Sequence, residues 1–158
     1  MLLYEIVDAF KKENLKYALV GGYALALHGL VRATMDVDLV LSLKQDVFER
    51  AERALKSVEL TSRLPVRAKD VIQMREEYIV NRNLIAWSFV DFKNPTRQVN
   101  LLIVKDLREM DIVTISVSGR KIPVASLQDL LQMKLESGRP QDLVDIESIK
   151  AKLNEKKS

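Results

Sequence analysis

Between Lys16 and Ser42 the chain changes its hydrophobic rhythm twice, and this constrains its fold more than any other stretch. "KYALV" (16–20) is a short apolar run that stops at paired glycines, Gly21 and Gly22, and reads as a strand. "GYALALHGL" (22–30) favours a helix that closes near Gly29. "DVDLVLS" (36–42) alternates and then turns wholly apolar, the pattern of a strand buried on at least one face. A helix wedged between two such strands predicts helices packed on a sheet.

The flanking sequence extends that plan. Leu2, Leu3, Ile6, Val7 and Phe10 recur on one face of a helix over 2–13. Val47, Ala51, Ala54, Leu55 and Val58 do the same for a helix over 43–58, with Ser42 and Gln45 as a capping box. Residues 67–75 predict a short helix, and "REEYIVNRN" (75–83) a mobile loop. "LIAWSFVDF" (84–92) and "RQVNLLIV" (97–104) flank "KNPT" as a hairpin. "IVTISVSGRKIPVAS" predicts two more strands around a turn at Ser118-Gly119. Ser126 and Asp129 have capping spacing for a helix over 126–137, which Gly138 ends. Pro140 can open a last helix over 141–154, and "NEKKS" reads as a frayed tail. The order α-β-α-β-α, then β-β-β and closing helices, predicts an α/β (α+β) fold with a mixed sheet flanked by helices. It reads as one domain over 1–158, with a core at 14–125 and a C-terminal helical segment at 126–155.

Composition narrows the chemistry. The chain has no cysteine and a single histidine, His28, so a metal site must lean on oxygen ligands, which favour magnesium, manganese or calcium over zinc. The net charge of +3 is compatible with anionic substrates. The basic stretch 63–75 reads as a solvated surface segment and, with the rest of 60–82, as the place for acceptor contacts. Glu5 and Asp8 stand where a secretory leader would be apolar, and no apolar run approaches membrane-spanning length. A cytoplasmic protein is expected.

Asp36 and Asp38 project from one face of their strand, because strand side chains alternate. Two carboxylates so close repel unless a cation lies between them. Alone, such a pair reads as two exposed acids at a strand start. Gly21 and Gly22, between a strand and a helix, let bare backbone approach an anion. A phosphate grip beside two carboxylates suits a metal that bridges them.

The stretch resembles the signature of the polymerase-beta-like nucleotidyltransferase superfamily: an apolar residue, Gly, Gly or Ser, a spacer, then Asp-apolar-Asp. Here these are Val20-Gly21-Gly22, residues 23–35, and Asp36-Val37-Asp38-Leu39. "GGYALALHG" and "RATMDVDL" look like minimal stand-alone prokaryotic nucleotidyltransferases, some of them toxins of toxin–antitoxin pairs. "LQDLLQMKLESGRPQDLVDI" (127–146), with Lys134, Arg139, Asp142 and Asp145, looks like the same group's C-terminal segment.

The resemblance implies a nucleotidyltransferase-like fold and transfer of a nucleoside monophosphate from a nucleoside triphosphate to an acceptor: RNA, protein or a small molecule. Gly21 and Gly22 would cradle the triphosphate, and Asp36 and Asp38 would hold Mg2+ or Mn2+. Lys134 or Arg139 would neutralise phosphate. Arg32 would touch phosphate or pair with the acids. An antitoxin-like protein is the implied partner. The superfamily's third carboxylate falls at Asn100, which carries no charge and cannot act as a base. Three readings stay open: a degenerate nucleotide-binding or regulatory protein; Asp91 as substitute, if Phe92 pairs with Arg97; or slow transfer with two acids and an amide. His28 reads as structural or capping, and Trp87 as core.

Overall fold

The structure, a computed structural model, describes residues 1–34 and 36–157. Met35, inside "RATMDVDL", and Ser158, in the tail, lie outside the described residues. The chain runs α1 (Leu2–Lys12), β1 (Ala18–Val20), α2 (Gly21–Leu27), β2 (Val37–Val40), α3 (Gln45–Lys56), β3 (Thr61–Ser62), α4 (Ala68–Gln73) and α5 (Arg75–Arg82). It continues β4 (Ala86–Asp91), β5 (Asn94–Leu102), β6 (Ile112–Val117), β7 (Arg120–Ala125), α6 (Leu127–Ser137), a 3₁₀ turn at Pro140–Asp142 and α7 (Leu143–Lys157).

The strands form one mixed sheet in the order β3-β4-β5-β2-β1-β7-β6. β2 is central, antiparallel to β1 and parallel to β5, and this places Asp38 directly beside Asn100. Side-chain alternation then divides the sheet. One face carries Val37, Leu39, Trp87, Phe89, Val99 and Leu101, all fully buried. α3 covers it, with Phe48 stacked on Trp87 at 6.3 Å. Trp87 donates its indole N–H to Ser62 Oγ at 2.8 Å, and is core, as read from the sequence. The other face carries Ser88, Asn100 and Asp38 towards α2 and α6, and the candidate site lies there.

Several local expectations need correction. Residues 75–82 form α5 rather than a loop. Glu76 and Glu77 in its first turn and Arg82 in its last suit the helix dipole, and Asn83 closes it in the left-handed conformation, φ 53°. The β4–β5 turn is Phe92-Lys93, and "NPT" already belongs to β5. α3 begins at Gln45 after Lys44, without the Ser42 cap, since the Gln45 amide bonds Glu49 instead. Ser126 does cap α6, accepting the Asp129 N–H at 3.1 Å. Pro140 opens the 3₁₀ turn, and α7 runs on to Lys157, through most of the expected frayed tail.

Candidate active site

β1 ends at Val20, and the chain turns directly into α2 at Gly21 with φ +72°. A Cβ on Gly21 would fall inside the Asp38 carboxylate, so glycine is required here twice over, by dihedral and by space. A Cβ on Gly22 would lie 2.6 Å from Thr34 Oγ1. The loop that delivers Asp36 thus folds back over the start of α2, and a hydroxyl stands beside the bare backbone.

Asp38 is half-buried at the centre of the sheet. Its Oδ1 accepts the Asn100 Nδ2–H at 2.7 Å. Asn100 Oδ1 in turn accepts from Ser88 Oγ at 2.7 Å and Gln98 Nε2 at 3.0 Å. Two donors at the carbonyl oxygen fix the amide so that its N–H₂ faces the carboxylate. Burial pushes the Asp38 carboxyl above its ordinary value. The hydrogen bond from Asn100 opposes the shift, the charge of Asp36 adds to it, and Lys134 and Arg139 counter it. Asp36 stands just before β2, half-buried and close enough to act electrostatically on Asp38.

Asp91 does not reach this group. The β4–β5 register shifts between Val90 and Asp91, with Ser88 opposite Asn100 and Val90 opposite Gln98. This is a one-residue slip from a Phe92–Arg97 pairing, and it moves Asp91 to the other face. There its carboxylate accepts from Arg97 Nε at 3.2 Å, and Arg97 also binds Glu5 of α1. The Phe92–Arg97 pairing on which Asp91 depended as a substitute acid does not form, and Asp91 is engaged by Arg97 instead. The same shift brings in Ser88 and Gln98, which sequence reasoning missed because both are ordinary strand polar residues.

The opposite wall of the site comes from the C-terminal segment. Lys134 and Arg139 line a cleft of about 680 Å³ together with Gly21, Asp38, Ser88 and Asn100. Lys134 Nζ lies 3.1 Å from both Asp142 Oδ1 and Asp145 Oδ2, and Arg139 grips Asp142 through Nε at 3.0 Å. Arg32 pairs with Asp145 at 2.9 Å rather than with Asp36 or Asp38. Asp142 is 2% exposed. Burial alone would raise its pKa, but hydrogen bonds from Ser137, Arg139 and Lys134 outweigh burial and hold it well below the usual carboxylate range. Its stabilising effect is therefore present above the unfolded value of 3.8 and lost as pH falls through the lower folded value. Asp142→Asn should cost about 3 kcal/mol near neutrality. Thermal melts at pH 7 and pH 3 check this, with the difference between variant and parent shrinking in acid.

His28 caps the end of α2 and donates Nε2–H to the Ala125 carbonyl at 2.8 Å, a structural role.

A family model described as a nucleotidyltransferase of unknown function (DUF6036) matches residues 2–153. The chain belongs to this nucleotidyltransferase family. Similar solved structures share its fold. The antibiotic-resistance factor ANT(2″)-Ia is 14% identical, covers 98% of this chain and 82% of its own, and superposes with a TM-score of 0.65. The lincosamide antibiotic adenylyltransferase LnuA, solved with lincomycin, is 15% identical over 94% of each chain, with a TM-score of 0.58. An antigenic nucleotidyltransferase-like protein from Paracoccidioides brasiliensis is 21% identical, over 94% of this chain and 74% of its own, with a TM-score of 0.57. No curated protein matches by sequence.

Proposed function

We propose that this nucleotidyltransferase-family protein transfers a nucleoside monophosphate from a nucleoside triphosphate to a hydroxyl acceptor, with Mg2+ held at Asp36 and Asp38. The observation that carries the reading is the convergence in one cleft of Gly21, the half-buried Asp38 and the cations Lys134 and Arg139. The donor set suits magnesium, which takes one or two carboxylates and completes its shell with phosphate oxygens and water. Among the described residues no group of three or more histidine, cysteine, aspartate or glutamate side chains is placed to hold a metal ion. Bound there, Mg2+ would neutralise the phosphates and polarise the reacting phosphorus.

The chain's own residues supply the rest. The backbone at Gly21, which lines the cleft, would approach the triphosphate, and Gly22 lets Thr34 pack against the start of α2 beside it. Lys134 and Arg139 offset charge on the leaving pyrophosphate, and Asp142 and Asp145 keep both cations from collapsing onto Asp38. No carboxylate faces the acceptor hydroxyl from position 100, so positioning and charge neutralisation carry the rate. Leu84, Ile85, Leu102, Val104 and Met133 line the remainder of the cleft and offer an apolar surface to the acceptor. ANT(2″)-Ia has been solved with adenylyl-2″-tobramycin, and a small polyhydroxyl acceptor is the corresponding reading here.

Incubation with labelled nucleoside triphosphates, Mg2+ and panels of small hydroxyl compounds, RNA and protein tests the proposal. Label should move to one acceptor class. Metal-dependent nucleotide binding without any transfer would overturn it.

That second outcome has support of its own, since Asn100 points a donor at Asp38 where catalysis would place a third anion. A nucleotide-binding regulatory protein is the alternative. Asn100→Asp separates the two. It sets two carboxylates side by side, which should lower the melting temperature in chelator and restore it with Mg2+. Transfer created in the variant where the parent shows none would mark the natural protein as the degenerate form, whereas a gain over measurable parental transfer would mark it as a slow enzyme.

A further inference from the structure

The two edges of the sheet are built differently. β3 ends one side with two residues and is followed by Arg63, a blunted edge. β6 ends the other with six residues, "IVTISV", paired to β7 on one side only. It holds no charge, no proline and no glycine, and its pairing with β7 is unbroken by any bulge. Ile112 and Val113 are each 42% exposed. Natural sheets guard such edges with lysine, proline, bulges or short strands, and β6 has none of these.

We propose that β6 is a dimer interface, pairing antiparallel with β6 of a second copy of this chain. Charge favours self-pairing. A two-fold axis places the start of each strand beside the end of its mate. The start is acidic, with exposed Glu109 and Asp111, while the adjacent Arg108 is offset by Asp106 at 2.9 Å. Past the end lies the hairpin tip, Ser118 to Lys121, which borders a groove of about 950 Å³ also lined by Lys11, Lys16 and Asp8; Asp8 already pairs with Arg120 at 2.9 Å, so Lys11, Lys16 and Lys121 carry the surplus positive charge. Acid meets base at both ends, and the uncharged centre meets itself without repulsion. A six-residue ladder alone buries less than the roughly 1,200 Å² of a stable interface, so the ends contribute and the dimer dissociates on dilution.

Light scattering and sedimentation over a wide concentration range provide the test. The wild-type chain should approach twice its monomer mass at high concentration. Val113→Lys with Ser116→Lys, two exposed positions, should keep the monomer mass throughout with an unchanged circular dichroism spectrum. Hydrogen exchange on the wild-type protein gives a readout independent of the variant: β6 amides should gain protection as concentration rises. A wild-type monomer at every concentration, a dimer that survives both lysines, or β6 exchange that ignores concentration would each overturn the proposal.

Discussion

Replacing Asp38 with asparagine is expected to lower nucleotidyl transfer by roughly 10²–10³-fold, because under the proposed function it removes an anionic ligand of the Mg2+ that would neutralise the phosphates. The same change should raise the melting temperature of the metal-free protein. The argument runs through proton linkage. The folded pKa of Asp38 lies above its unfolded value, mainly because the carboxylate is buried. The folded chain therefore holds that proton more tightly than the unfolded chain does, and the ionised group destabilises the fold at neutral pH. Asparagine keeps an oxygen for the Asn100 donor and carries no charge to desolvate. Mg2+ should stabilise the parent and leave the variant unmoved, and its affinity for the parent should rise with pH through the raised pKa. Paired thermal melts with and without Mg2+, alongside transfer assays, check each part. Undiminished transfer in the variant would remove Asp38 from the chemistry.

Gly21→Ala carries the second large effect. A left-handed φ of 72° costs an alanine about 1–2 kcal/mol. The new methyl also falls inside the Asp38 carboxylate, and overpacking of that kind costs about 1–3 kcal/mol more. The melting temperature should drop by roughly 5–15 °C. Most of the second contribution belongs to the pair of residues rather than to Gly21. In an Asp38→Ala background the clash with the carboxylate vanishes, and the dihedral cost remains together with a tight 3.1 Å contact to the retained Cβ. A double-mutant cycle should therefore show coupling of about 1–3 kcal/mol. An additive cycle would mean that the glycine answers to backbone conformation alone.

The elements that carry the candidate site were legible in the sequence. Glycines at a strand-to-helix turn and an apolar run after paired acids both leave a trace in local sequence, and β1, α2 and β2 lie close to where that trace puts them, with Asp36 falling just before β2 rather than on it. Asp91 was not legible, because one residue of register decides its face and "DFKNPTRQ" holds several turn-forming residues. The helix over 75–82 was missed for a different reason. Its face buries no residue, so the hydrophobic period that reveals a helix is faint there, although the charges at its ends and Asn83 were readable signals. Ser88 and Gln98 acquire their roles only from a partner strand. The bonds of Lys134 and Arg139 to Asp142 lie within one local segment. What the sequence hid was the direction in which that segment faces.

The pairing of β2 with β5 has a further consequence. The Asn100–Asp38 hydrogen bond joins residues 62 apart in sequence, and the Arg32–Asp145 pair joins residues 113 apart. No fragment of the chain owns the cleft. Closing such long loops costs entropy that only the complete sheet offsets. The site should thus come into being in the last, cooperative stage of folding, with no partly active intermediate on the way. Nucleotide and Mg2+ would then act on the whole equilibrium between folded and unfolded chains, and each increment of ligand affinity would register as global resistance to unfolding.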